Sequence, residues 1–243
     1  MLAGVRVGGR YAPASRGSAP RVGISKMSSP HLSRGTPTAK RVTRIATLAI
    51  VGIAYFCITV VALHFLRPDY DPIRRFMSEY AVGPYGVLMT SAFFGMSLGS
   101  LALVIGLYQG VPPPGRSIGL VLLGIWGVGV LFAGLFPSDL KGAPETRSGN
   151  IHNLVSLVGF LSVVPATILV SWRFKQDEKW HSFHGPALIL ALVMLSALIG
   201  FFLPAAAEFV GLSQRIFVGA VLTWLLLTAA RLRSLATGSA STR

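Results

Sequence analysis

Residues 118–136 read IGLVLLGIWGVGVLFAGLF, and none of these 19 side chains carries a charge. A helix rises about 1.5 Å per residue, so a run of this length crosses roughly 30 Å of hydrocarbon. Five further apolar runs of comparable length lie at residues 45–66, 85–107, 151–171, 186–203 and 216–232. We therefore predict an all-α fold, a polytopic bundle of six transmembrane helices over residues 45–232.

The composition excludes a soluble globular enzyme. Hydrophobic residues make up 52% of the chain and charged residues 12%, and the mean hydropathy is +0.64. Soluble domains carry about twice that share of charge. Strands of a transmembrane barrel would alternate in polarity over about ten residues, and the apolar runs show no such alternation.

The basic residues predict the orientation in the membrane. With both termini inside, 16 of the 22 Lys and Arg residues fall on the cytoplasmic side, in agreement with the positive-inside rule. We predict a multi-pass protein of the plasma membrane with cytoplasmic N- and C-termini. Membrane lipids are the expected partners, nucleic acid is not an expected partner, and the sequence does not define the oligomeric state.

Both ends of the chain lack an apolar pattern. Residues 1–44 contain nine basic and no acidic side chains, which is typical of a disordered cytoplasmic arm, although a transit peptide has a similar composition. Translation from Met27 would shorten this arm, and the sequence leaves the start open. Residues 233–243 are expected to form a disordered cytoplasmic tail.

The first outer connection reads RPDYDPIRRFMSEYAVGP at residues 67–84. Asp71 before Pro72 is a good helix start, because the carboxylate caps free amides and proline fits the first helical position. We predict a short interfacial helix from Pro72 to about Ala81. Arg75 and Glu79 lie four residues apart and can form an ion pair on its solvated side.

The second outer connection leads into the fourth span. Thr146 or Ser148 can cap that helix, which places His152 in its first turns. The positive end of a helix opposes protonation, so we expect His152 to be mostly neutral near pH 7. A neutral imidazole can act as a base or bind a metal, and it can equally be a hydrogen-bonded interfacial residue.

The polar residues of the predicted outer face supply the candidate site. As catalytic candidates we consider His152 as base and the carboxylates Asp139, Glu79 and Asp71 as its partners. Candidate metal ligands are His64, Asp139 and His152. The sequence leaves any cofactor unknown. Candidate ligand-binding residues are Arg74, Arg75, Ser78, Arg147, Glu208 and Arg215.

Three functions remain open. The first is an interaction or lipid-handling protein whose outer arginines, near outward-pointing helix N-termini, bind an anionic lipid headgroup or a small anion. The second is a membrane-embedded hydrolase or transferase that uses His152 with the outer carboxylates. The third is a small-molecule transporter, although the spans carry no ionisable group near their midpoints.

Several of these residues together resemble a known family. They are RPDYDPIRRFMSEYAVGPYG from residue 67, FPSD from residue 136 followed by Thr146, Gly149 and His152, and GLSQR from residue 211. This order resembles the uncharacterised prokaryotic membrane family "domain of unknown function 998", over roughly residues 45–232. The resemblance implies an integral membrane protein with six spans. It implies no reaction, cofactor or catalytic residue.

Overall fold

The computed structural model describes residues 37–111 and 118–241, and its secondary structure there is helical. Two 3-10 helices, Met77–Ala81 and Pro204–Phe209, lie in connections. The described residues include six helices long and apolar enough to span a membrane, which confirms the predicted fold class. These helices are α1 Pro37–Leu66, α2 Gly86–Gly110, α3 Ile118–Leu135, α4 Arg147–Phe174, α5 Glu178–Phe202 and α6 Val210–Ser241.

The six helices form a closed ring. Each of α1 to α5 packs against the helix that follows it, α6 packs back against α1, and α2 also reaches α6. The connections 67–85, 136–146 and 203–209 lie at one end of this ring, where hydrogen bonds join the first connection to the connection 136–146 and to the start of α6. We call this end the loop face. The sequence predicts it to be the outer face.

Glycines allow the backbones of α1 and α2 to touch. A Cβ added to Gly52 would lie 2.3 Å from the Gly95 carbonyl oxygen, and one added to Gly99 would lie 2.9 Å from the Ala49 carbonyl oxygen. Neither distance is possible for a real Cβ, so these positions require glycine. The GxxxG pair of α2, Gly95 and Gly99, is therefore used for packing within the chain.

The first connection differs from the predicted helix Pro72–Ala81. Asp71 does cap a turn, because its Oδ1 accepts the amide of Ile73 at 2.9 Å. The α-helix does not continue, however, and only the 3-10 helix Met77–Ala81 follows. The amides of Phe76 and Met77 are bound by the side chains of Glu79 and Gln214 rather than by carbonyls one turn earlier. The connection consequently folds onto the bundle instead of lying along its surface.

Helices also extend beyond the predicted spans. α1 begins at Pro37, eight residues before the predicted span, and α6 continues to Ser241. Residues 37–44 and 233–241 are thus helical where the sequence predicts disorder. The rest of the predicted N-terminal arm, residues 1–36, and the alternative start at Met27 lie outside the described residues.

Candidate functional site

Glu79 is the centre of the folded first connection. Its side chain is fully buried, and its carboxylate accepts hydrogen bonds from the Arg75 guanidinium at 3.0 Å and from the Phe76 amide at 3.0 Å. The Lys141 amide, from the connection 136–146, donates to the same carboxylate at 3.2 Å. The predicted pair between Arg75 and Glu79 therefore exists, but it is a buried structural pair and not a solvated one.

Two further arginines secure this connection. Arg67 is buried, forms an ion pair of 2.8 Å with Asp69 and donates to the carbonyls of Val82 and Pro84. The Arg67 guanidinium lowers the pKa of Asp69. Arg215, in the first turns of α6, donates to His64 Nε2 at 3.2 Å and to carbonyls that include that of Arg75 at 3.0 Å.

Two tyrosines, packed with their rings tilted against each other, lie among these arginines. The rings of Tyr70 and Tyr80 are 4.2 Å apart, and the guanidinium of Arg75 lies 5.1 Å from the Tyr70 ring while that of Arg215 lies 5.7 Å from the Tyr80 ring. Burial raises the pKa of both phenols, so they stay neutral at physiological pH. We call this group the charged cap. Its members are Arg67, Tyr70, Arg75, Glu79, Tyr80 and Arg215.

Asp139 organises the start of α4. Its carboxylate accepts the Thr146 amide at 2.8 Å and the Thr146 hydroxyl at 2.7 Å, and these bonds lower the pKa of Asp139. Thr146 in turn accepts the Gly149 amide at 3.0 Å, which confirms Thr146 as the helix cap. A Cβ on Gly149 would overlap Asp139 Oδ2, so a larger residue there has to displace the Asp139 carboxylate.

His152 closes the end of α3. Its Nδ1 lies 2.8 Å from the Phe136 carbonyl oxygen and 3.1 Å from that of Ala133. Helical geometry would pair the Ala133 carbonyl with the amide of residue 137, but Pro137 has no N–H to donate. Nδ1 must therefore carry the hydrogen, and Nε2 is an acceptor. Nε2 has no hydrogen-bond partner among the described residues.

Two cavities meet at His152. The larger, about 330 Å³, lies at the loop face, where Asp139, Lys141 and Glu145 contribute charged groups. The smaller, about 50 Å³, lies deeper in the bundle and is mostly apolar, with Trp126 in its wall. Both cavities are lined by Ser78, His152, Ser156, Phe160 and Gln214. We call the four polar members, Ser78, His152, Ser156 and Gln214, the polar collar.

The comparisons with known proteins add one match. Residues 50–231 match the family model described as "Protein of unknown function (DUF998)". The chain belongs to this family. The curated proteins and the solved structures give no match. Because DUF998 is a family of unknown function, the chemistry of the pocket has to be argued from the residues of this member.

Some of the predicted site residues come together in this DUF998 member. Asp139, His152 and Ser78 line the larger cavity. The other candidates line neither cavity of the polar collar. They are Asp71, Glu79, Arg74, Arg75, Arg147, Glu208 and Arg215. The carboxylate Glu79 and the cations Arg75 and Arg215 have partners inside the charged cap, so their roles in catalysis and ligand binding stay predictions without a cavity beside them.

The predicted metal site is not assembled. In the described ranges no group of three His, Cys, Asp or Glu side chains is placed to hold a metal ion. His64 contacts Arg215 and Asp139 binds Thr146, so these two candidates do not share one centre with the third, His152. Two backbone carbonyls orient the His152 ring. On the sequence alone, a carboxylate is expected to do this.

Gln214 lines both cavities but is not among the candidates selected from the sequence. It is 8% exposed, and its Oε1 accepts the Met77 amide at 2.6 Å across 137 residues of sequence. It is the one amide side chain in the GLSQR stretch, at the start of an apolar helix. A buried polar side chain at such a position needs a partner, which was the available signal.

Proposed function

We propose that this protein binds the polar head of a membrane lipid at the polar collar. The observation that carries the proposal is His152, which is 3% exposed, is held through Nδ1 by two carbonyls, and lines both a polar and an apolar cavity. Its Nε2 has no partner among the described residues, so this acceptor is open to a molecule in the cavity. A bound molecule with a polar head would supply the missing partner of Nε2.

The surroundings of the larger cavity support a lipid rather than a water-soluble ligand. Leu157 of α4 and Phe202 of α5 line this cavity and are also exposed on the bundle surface, at 41% and 54%. In a spanning bundle such side chains face hydrocarbon. The cavity therefore offers a route from the bilayer to the polar collar between α4 and α5, and an acyl chain would remain in contact with these side chains.

From the sequence alone, we consider an anionic headgroup, bound by arginines of the outer face. Arg75 is bound to Glu79, and Arg215 donates through Nε and Nη1 while its buried Nη2 has no partner among the described residues. Neither of them lines the cavity, and Arg74 and Arg147 are exposed away from it. The larger cavity itself carries one cation, Lys141, beside the carboxylates of Asp139 and Glu145. These charges favour a neutral or zwitterionic head over an anion.

A hydrolase or transferase is the second candidate, because the same Nε2 could accept a proton from a nucleophile. The carboxylates would not assist it, since Asp139 is engaged with Thr146 and Glu79 with Arg75. Release of a headgroup or acyl product from bound lipid would identify this activity, and loss of that release in His152→Ala would assign it to His152.

Lipid content after gentle extraction tests the binding proposal. In Ser156→Phe the new ring enters the polar collar, whereas in Leu154→Phe it lies on the exposed side of α4, where Leu154 is 61% exposed. Native mass spectrometry should show bound lipid in the unmodified chain and in Leu154→Phe, and at least tenfold less in Ser156→Phe. Equal lipid content in the two folded variants would contradict the proposal.

A further inference from the structure

The hydrogen-bonding pattern of the polar collar narrows the class of lipid head, an inference that rests on the proposed function. In neutral His152 one ring nitrogen carries a hydrogen and the other carries a lone pair. Both contacts of Nδ1 are carbonyl oxygens, at 2.8 and 3.1 Å, and carbonyls cannot donate. Nε2 is therefore fixed as an acceptor, and its missing partner must be a donor.

Gln214 fixes a second requirement. Its Oε1 accepts the Met77 amide at 2.6 Å, and this assigns the orientation of the side-chain amide because a backbone N–H can only donate. The NH₂ group of Gln214 is left with no acceptor among the described residues. The collar hydroxyls of Ser78 and Ser156 can rotate to donate or accept, so they add no fixed requirement.

We infer that the polar collar selects lipids whose head carries an N–H or O–H donor next to a phosphate oxygen. The donor pairs with Nε2 of His152, and the phosphate oxygen accepts from the NH₂ group of Gln214. An ethanolamine ammonium or a glycerol hydroxyl has such a donor. A choline head has the same phosphate and the same net charge as an ethanolamine head, but its quaternary nitrogen has no N–H.

A competition experiment with three lipids of identical acyl chains tests this selection. Delipidated full-length protein in mild detergent is incubated with dioleoyl phosphatidylethanolamine, phosphatidylcholine or phosphatidylglycerol, and native mass spectrometry measures the bound fraction. We expect phosphatidylethanolamine to bind about tenfold more tightly than phosphatidylcholine, the effect of one good hydrogen bond. The phosphatidylglycerol arm separates a hydroxyl donor from an ammonium donor.

The outcomes distinguish this inference from the proposed function. Equal binding of phosphatidylcholine and phosphatidylethanolamine would overturn the donor requirement and leave lipid binding intact. Binding of none of the three lipids would overturn both. A preference for phosphatidylglycerol alone would also overturn the donor rule as stated, because phosphatidylethanolamine carries an N–H donor next to its phosphate and would then have failed to bind.

The variant His152→Asn assigns the preference to Nε2. The asparagine amide nitrogen can replace Nδ1 as donor to the carbonyls of Ala133 and Phe136, while the acceptor at the Nε2 position is lost. We expect a folded protein in which the tenfold preference for phosphatidylethanolamine disappears. An unchanged preference in folded His152→Asn would overturn the assignment. The three-lipid comparison with the unmodified chain stands even if this variant does not fold.

Discussion

The charged cap and the polar collar lie side by side at the loop face, but they differ in what their side chains bind. In the charged cap, Glu79 accepts from Arg75, Phe76 and Lys141, although the buried Nη2 of Arg215 and the Tyr80 hydroxyl have no partner among the described residues. In the polar collar, His152 uses Nδ1 for structure and lines two cavities. The ion pairs of the cap therefore secure the first connection, whereas the collar residues lie where a ligand could reach them.

This difference follows from the energetics of buried groups. A buried charge that lacks partners costs several kcal/mol, so the folded state requires that charged side chains be paired within the protein. A buried neutral acceptor such as an imidazole nitrogen costs about 1–3 kcal/mol when unpaired, which a stable bundle tolerates until a ligand binds. A collar acceptor without a protein partner therefore costs the fold less than an unpaired Glu79 or Arg75 would.

Removal of Glu79 should produce the largest effect on stability. Glu79→Ala leaves the Arg75 guanidinium and two backbone amides without their acceptor, and we expect the free energy of unfolding to fall by about 3–5 kcal/mol. Thermal unfolding in detergent, followed by circular dichroism, measures the loss.

A carboxylate on the same face provides the control for Glu79. Glu208 is exposed, and Glu208→Ala should change the free energy of unfolding by less than about 0.5 kcal/mol. If the two alanine variants unfold at the same temperature, Glu79 is not the structural centre of the charged cap.

A methyl group at Gly149 should have the next largest effect. The Cβ of Gly149→Ala would overlap Asp139 Oδ2, so the bond from Asp139 to Thr146 has to shift, at a cost of about 1–3 kcal/mol. Gly124→Ala is the matched control, because a Cβ on Gly124 meets no atom within 4 Å. Equal unfolding temperatures for the two variants would show that the start of α4 is not as tightly packed as described.

The fold was largely predictable because hydropathy reports directly on spans. The helix ends were less predictable, because hydropathy marks where a helix leaves the hydrocarbon and not where it ends. α1 begins at Pro37, and its first turns contain polar residues that can lie outside the hydrocarbon. The first connection could not be predicted in detail. Local spacing favoured an α-helix from Pro72, but Gln214, 137 residues after Met77, takes the amide that such a helix would have used.

The site was predictable in its residue types more than in its geometry. His152 and Asp139 were recognisable as candidates, whereas the bond from His152 to Ala133 depends on a contact between two helices. Pro137 carries the local signal for it, because a proline at that position leaves the Ala133 carbonyl without a helical donor. The sequence shows that the loop-face arginines share one side of the protein. It does not show that Glu79 binds Arg75, or that backbone carbonyls bind Arg215.

The Asp139 carboxylate should make a smaller contribution to stability, and this contribution should depend on pH. Hydrogen bonds from Thr146 lower the pKa of Asp139, so its ionised form stabilises the folded state above the unfolded-state pKa of about 3.9. This contribution is lost as the pH falls through the lower folded-state pKa. The difference in Tm between the unmodified chain and Asp139→Asn should therefore be full at pH 6–7 and shrink below about pH 4. A difference that grows on acidification would contradict this sign.

Arg147 should have the smallest effect, and it provides the sharpest contrast with the polar collar. Arg147 is exposed and is the first residue of α4, where the helix dipole disfavours a cation. Arg147→Ala should therefore change the free energy of unfolding by no more than about 0.5 kcal/mol. A small increase is expected, because the unfavourable cation is removed. Bound lipid, measured by native mass spectrometry, should stay at the level of the unmodified chain. A clear loss of lipid in Arg147→Ala but not in Ser156→Phe would place headgroup recognition on the surface arginines instead of on His152.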